Sequence, residues 1–171
     1  MLHNCRSAMK NKLEISDTII HFNLDVLILR ETWFNDTSHS ICDRVGGGIA
    51  IIFKDTLQCR EIPNGPFSSF QFLTFNLHMQ HHPPFRVNAI YHPPGDNTTF
   101  IDEFLDLASD QSIRSDKLIF LGDFNLHWGS TEDPLAIRLA TFLDENDLAQ
   151  CKPMHTKGST LDLLISRPSI I

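Results

Sequence analysis

No apolar run in this 171-residue sequence approaches the roughly 20 residues that a bilayer-spanning helix needs, so no membrane partner is expected. Its start carries no basic stretch leading into an apolar one, the pattern of a secretory signal. The four cysteines, Cys5, Cys42, Cys59 and Cys151, are scattered, and none forms a Cys-x-x-Cys pair. Neither a zinc site nor a disulfide framework is indicated. Reduced thiols in an intracellular protein, nuclear or cytoplasmic and not secreted, are expected. Positive charge is also scarce: 14 Lys and Arg stand against 21 Asp and Glu, for a net charge of −7. A protein that grips nucleic acid through counterion release usually shows a basic face. The balance argues against tight, non-specific binding, while a local contact stays open. Internal repeats and low-complexity linkers are absent as well.

What is present is a chain with 42% apolar and 20% charged residues, the profile of a globular fold with a real core. Its length suits a single domain over residues 1–171. Strand-like segments outnumber helical ones, and hairpins alternate with helical crossovers. That mixture predicts an α/β or α+β fold.

The most informative stretch is Leu118-Ile119-Phe120-Leu121-Gly122-Asp123-Phe124-Asn125. Its apolar run reads as a strand buried on both faces. Gly122 allows a bend or a close approach to the backbone. Asp123 and Asn125 share a side of the chain, because side-chain direction repeats every two residues. A carboxylate there can bind a cation or take a proton, and a carboxamide can hydrogen-bond an oxyanion. Taken alone, the same residues read first as an Asp/Asn turn after a strand.

Elsewhere, Ile15, Ile19 and Phe22 have helical spacing, with Asn23 as the stop. Val26-Leu27-Ile28-Leu29 reads as a short buried strand ending in Glu31, a charge that could simply mark the chain reaching solvent. Thr32 to Gly46 reads as a loop, and Gly46-Gly47-Gly48 as a flexible entry to the strand Ile49 to Phe53. The triple glycine lacks the Lys-Ser/Thr and following helix of a P-loop. Leu57 to Ile62 is expected to pair with that strand across a turn at Lys54 to Thr56. Alternation predicts strands over Phe70 to Met79 and Phe85 to Tyr91, with His81-His82 as turn residues and His92-Pro93-Pro94-Gly95 as a stop. Thr99 with Asp102 suggests a capping box, and Asp133-Pro134 a cap and first residue of a second helix. In the last strand, Thr160 to Ser166, Asp162 interrupts an apolar run, which is costly unless the charge is paired or catalytic.

Taken in order, Asn4-Cys5-Arg6-Ser7, Leu29-Arg30-Glu31-Thr32-Trp33, Gly46-Gly47-Gly48-Ile49-Ala50-Ile51, Tyr91-His92-Pro93-Pro94-Gly95, Gly122-Asp123-Phe124-Asn125 and Thr160-Leu161-Asp162-Leu163-Leu164-Ile165-Ser166 form a pattern. Each motif is weak alone, but six in sequence with suitable spacing are specific. Together they resemble the endonuclease/exonuclease/phosphatase superfamily, and within it the apurinic-endonuclease-like domain of non-LTR retrotransposon polyproteins. The resemblance implies a four-layer sandwich of two mixed β-sheets flanked by helices. It implies an Mg²⁺- or Mn²⁺-dependent phosphodiesterase that nicks DNA, with a reverse transcriptase domain as partner in a parent polyprotein. By that likeness Glu31 is the metal ligand, Asn4 supports metal and phosphate, and Tyr91 contacts the scissile phosphate. Asp123 and Asn125 orient the attacking water and stabilise the pentavalent phosphate, and Asp162 orients a catalytic histidine.

The superfamily pattern ends in Ser-Asp-His, which this sequence does not contain: none of its nine histidines follows an aspartate, and none lies after His155. The resemblance therefore also implies a domain incomplete at the C-terminus and at the N-terminus, with its last strands missing and a sheet edge exposed. The alternative reading that follows is a catalytically inactive, truncated remnant. A phosphoinositide or sphingomyelin phosphodiesterase of the same superfamily fits less well, because the wording around Glu31, Tyr91 and Asp162 is of the retrotransposon type.

Overall fold

Among the described residues, hydrophobic alternation builds two sheets. The computed structural model describes residues 1–4, 7–8, 10–30, 32, 48–63, 65, 67–151 and 160–170. Leu2–Asn4 (β1), Val26–Arg30 (β2) and Ile49–Phe53 (β3) form a three-stranded sheet in the order β1-β2-β3. β1 runs parallel to β2, with helix Lys12–Phe22 (α1) as the crossover, and β3 is antiparallel to β2. Asn23 ends α1 at φ 46°, the left-handed stop that its side chain tolerates.

The larger sheet contains Gln58–Ile62 (β4), Gln71–His78 (β5), Phe85–Tyr91 (β6), Leu118–Trp128 (β7), Ala149–Gln150 (β8) and Thr160–Ser166 (β9), in the order β4-β5-β6-β7-β9-β8. β6 and β7 are parallel and joined through helix Asn97–Arg114 (α2), and the other neighbours are antiparallel. Helix Pro134–Glu145 (α3) lies between β7 and β8 in the chain. The Asp133 carboxylate accepts from the Leu135 N–H at 2.9 Å, and Pro134 opens the helix as predicted.

Side-chain alternation sorts the apolar residues into three cores. Ile28, Ile49, Leu73, Phe75, Val87 and Ala89 meet between the sheets. Leu27 and Leu29 of β2 point the other way, and Ala8 and α1's Ile15 cover them. Behind the larger sheet, Phe120, Phe124, Leu126, Leu163 and Ile165 pack with Phe104 of α2 and Leu139 of α3. The layers are therefore α1, the small sheet, the large sheet, and α2 with α3. This is the four-layer sandwich that the sequence led us to expect. Full enclosure of Phe75, Phe100, Phe104, Phe120 and Phe124 makes them principal contributors, at about 1.5–3 kcal/mol each.

Three local expectations are corrected. Leu57 to Ile62 does not pair with β3; β4 joins β5 in the other sheet. Lys54 Nζ bonds Asn23 Oδ1 at 3.0 Å and Asp25 Oδ1 at 2.8 Å, anchoring the chain at the end of the small sheet just before it leaves. The cap of α2 is Asp96, not Thr99. Its two oxygens accept from the Thr98 N–H at 2.9 Å and from Thr99 Oγ1 at 2.6 Å. β7 does not stop at Gly122 but runs on to Trp128, with a register shift against β9 after Asp123. Among the described residues, Cys59 and Cys151 are free thiols, and no helix is long and apolar enough to cross a membrane.

Candidate active site

Strand register lines up the polar residues. In the large sheet, Tyr91 pairs with Asp123 and Asp123 pairs with Asp162, a row across β6, β7 and β9. In the small sheet, Asn4 pairs with Arg30 where β1 and β2 end. Arg30 links the two sheets. Its Nη1 forms ion pairs with Asp123 Oδ2 and, at 2.7 Å, with Asp162 Oδ1, while Nη2 lies 3.5 Å from Asp162 Oδ2. Asp123 is buried, and the Asp162 side chain is 49% exposed. Asp162, whose place in an apolar strand would be costly for a buried, unpaired charge, is half exposed and also paired with Arg30. Asp123 and Asp162 face each other directly, and like charges so placed repel unless a cation intervenes.

Asn125 belongs to the same cluster through the backbone of β7. At φ 46° its N–H turns back to donate to Asp123 Oδ1 at 3.1 Å, and its Nδ2 donates to the His92 carbonyl at 2.6 Å. Asp123 Oδ1 therefore accepts a hydrogen bond from Asn125, and Oδ2 forms an ion pair with Arg30. Gly122 is required by close approach. A Cβ there would stand 1.8 Å from the Ile90 carbonyl oxygen and 2.6 Å from its carbon. The expected ligand Glu31 follows Arg30 in the chain but lies outside the described residues, as does the loop 33–46.

Sequence reasoning missed Arg30 and His92. Arg30 carries no local signal of its own between the apolar strand and Glu31, and nothing in a single sequence tells a charge that reaches solvent from one that crosses to another sheet. His92 read only as a strand stop. In the fold it is buried, with its ring stacked on Phe100 at 4.0 Å and 9°. Its backbone N–H donates to the Asp123 carbonyl at 2.9 Å. Nδ1 lies 3.0 Å from the Phe124 carbonyl, which can only accept, so Nδ1 carries the proton. Burial pushes the His92 imidazole below its ordinary 6.5, against the opposing pull of the Phe124 and Asp96 hydrogen bonds and the Asp96 charge.

A lowered folded-state value means that the unfolded chain takes the proton first. His92 therefore favours folding fully above about pH 6.5, and that contribution declines as pH falls toward the folded value, by up to about 1.4 kcal/mol per pH unit. Urea midpoints measured at about pH 7 and about pH 5.5 should separate for the wild type and lie closer together for His92→Phe. Equal pH dependence of the two proteins would contradict this account of His92.

The family described as endonuclease-reverse transcriptase matches residues 85–171, a span that holds Tyr91, Asp123, Asn125 and Asp162. The chain belongs to this family. It is a nuclease- or phosphodiesterase-type domain of the endonuclease/exonuclease/phosphatase superfamily. The endonuclease domain of TRAS1, a telomere-specific non-LTR retrotransposon, has the same fold at TM-score 0.70 and 15% identity, over 98% of this chain and 83% of that one. The 3′ phosphatase NExo from Neisseria, bound to a product DNA hairpin, matches at TM-score 0.67 and 14% identity, over 98% of this chain and 86% of that one. D. rerio TDP2 complexed with single-strand DNA product matches at 0.61 and 9% identity, over 94% and 78%. No curated protein matches the sequence. At these identities the solved structures establish the shared fold of this endonuclease-family domain.

Proposed function

We propose that this domain is an Mg²⁺-dependent phosphodiesterase that nicks DNA. The observation that carries the reading is the row Tyr91, Asp123 and Asp162, faced across the sheets by Arg30 and joined by Asn125. Acceptors and donors stand together where β2 and β6 end, beside the register shift that follows Asp123 in β7. DNA is the favoured substrate because NExo and TDP2, which share the fold, are described with DNA bound. A reverse transcriptase domain is the partner that the family's description suggests within a parent polyprotein.

The donor chemistry fits a hard cation: carboxylate and amide oxygens, few in number, leaving positions for water and phosphate. Among the described residues no three of His, Cys, Asp and Glu stand close enough to hold a metal ion, and the two carboxylates of the row already share Arg30. By the superfamily resemblance Glu31 would hold the ion, with Asn4 in support, and Mn²⁺ suits the same donors. When bound, the ion would offset the charge of the phosphodiester and polarise a phosphoryl oxygen.

The chain's own residues do the rest. Asp123, its oxygens fixed by Asn125 and Arg30, accepts from the attacking water and sets its direction. Asn125 has one Nδ2 hydrogen committed to His92, and its second can donate to a phosphoryl oxygen. Tyr91, the sole tyrosine of the chain, donates its hydroxyl to the same group. The purified chain is expected to convert supercoiled plasmid to open circles in Mg²⁺ and to stop in EDTA. Glu31→Gln should raise the Mg²⁺ concentration for half-maximal rate by about tenfold or more. Nicking that persists in EDTA would overturn the metal-dependent reading.

A further inference from the structure

We propose that Arg30 is a positioning residue of this site, the internal cation that lets Asp123 and Asp162 stand together as carboxylates beside an anionic substrate. The proposal rests on the phosphodiesterase reading and deepens it. Asp123 and Asp162 occupy facing positions on β7 and β9. Two carboxylates so placed, together with a phosphodiester, would gather three negative charges in one partly buried cluster. Arg30 supplies one positive charge from the opposite sheet and touches both. The Arg30 and Asp123 side chains are 14% and 11% exposed, so solvent screens that pair less than it screens a surface pair such as Arg138–Asp102, where both partners are about half exposed.

The geometry also assigns Arg30 a directional role. Asp123 Oδ1 is held by the Asn125 N–H and Oδ2 by Arg30, so the carboxylate plane has two anchors on different elements. Loss of Arg30 removes the cation at Oδ2 and leaves Asp123 unbalanced against Asp162. Arg30 also meets Asp162 through both guanidinium ends, Nη1 at 2.7 Å from Oδ1 and Nη2 at 3.5 Å from Oδ2. The guanidinium is committed to these two carboxylates and acts through Asp123, so it is a positioning residue and not a catalytic one. Lysine would keep the charge but not the planar fork that reaches two acceptors.

The test uses the full chain and two readouts. In steady-state plasmid nicking with Mg²⁺, Arg30→Gln should lower kcat by about 10- to 100-fold with KM within about twofold, and Arg30→Lys should recover part of the loss. A purely structural role would lower the unfolding midpoint and leave the rate per folded molecule unchanged. In the second readout, Mn²⁺ alone is titrated by calorimetry with no DNA present. Arg30→Gln, with its facing carboxylates uncompensated, should bind Mn²⁺ about tenfold more tightly than the wild type, and adding Asp162→Asn should reverse the gain. An unchanged kcat or an unchanged Mn²⁺ affinity in Arg30→Gln would overturn the proposal. Failure of the unaltered chain to nick any DNA would overturn the phosphodiesterase reading instead, and the Mn²⁺ titration would still decide the role of Arg30.

Discussion

Gly122→Ala is expected to destabilise the fold by about 3 kcal/mol or more, at or beyond the upper end for an overpacked interior. The added methyl would stand 1.8 Å from the Ile90 carbonyl oxygen. Its obstacle is backbone, so no side chain can rotate away. Relief requires β6 and β7 to separate at the point where their parallel pairing sets Tyr91 beside Asp123. Stability and site would thus fail together. Urea unfolding followed by circular dichroism measures the loss, and a midpoint within error of the wild type would contradict the close approach of β6.

Asp123→Ala is expected to lower the nicking rate by about 10³-fold, equivalent to about 4 kcal/mol of transition-state stabilisation, with the fold retained. Asp123 is the point where the site's contacts converge. It takes the Asn125 N–H, pairs with Arg30, and stands between Tyr91 and Asp162. Arg30 keeps Asp162 as a partner in the variant, so the change does not strand a buried cation. Rates at saturating Mg²⁺ and plasmid, normalised to folded protein, provide the measurement. A loss of less than about tenfold would move the water-orienting role away from Asp123.

The layers were legible because alternation is written along the strands. Leu27 and Leu29 go to one side of β2 and Ile28 to the other, as a strand buried on both faces requires. The row Tyr91, Asp123 and Asp162 was legible only through motif order, since each residue alone has an ordinary explanation as a turn, a strand end or an exposed charge. Two features were out of reach of local pattern. The sheet change after Lys54 carries no local signal: β3 pairs with β2, and β4 pairs with β5 in the other sheet. Arg30 and His92 act through partners on other strands: Arg30 through carboxylates on β7 and β9, His92 through the backbone of β7. No periodicity reports such pairings, because they are consequences of how strands align after folding.

The central claim is that Asp123 serves an Mg²⁺-dependent cleavage of DNA. Its most direct test compares supercoiled plasmid nicking by the wild type and by Asp123→Asn, a change that keeps the size of the side chain and removes its charge. The account predicts open circles from the wild type in Mg²⁺, and none above background from the wild type in EDTA or from Asp123→Asn in Mg²⁺. Equal nicking by the two proteins, or nicking by the wild type in EDTA, would contradict it.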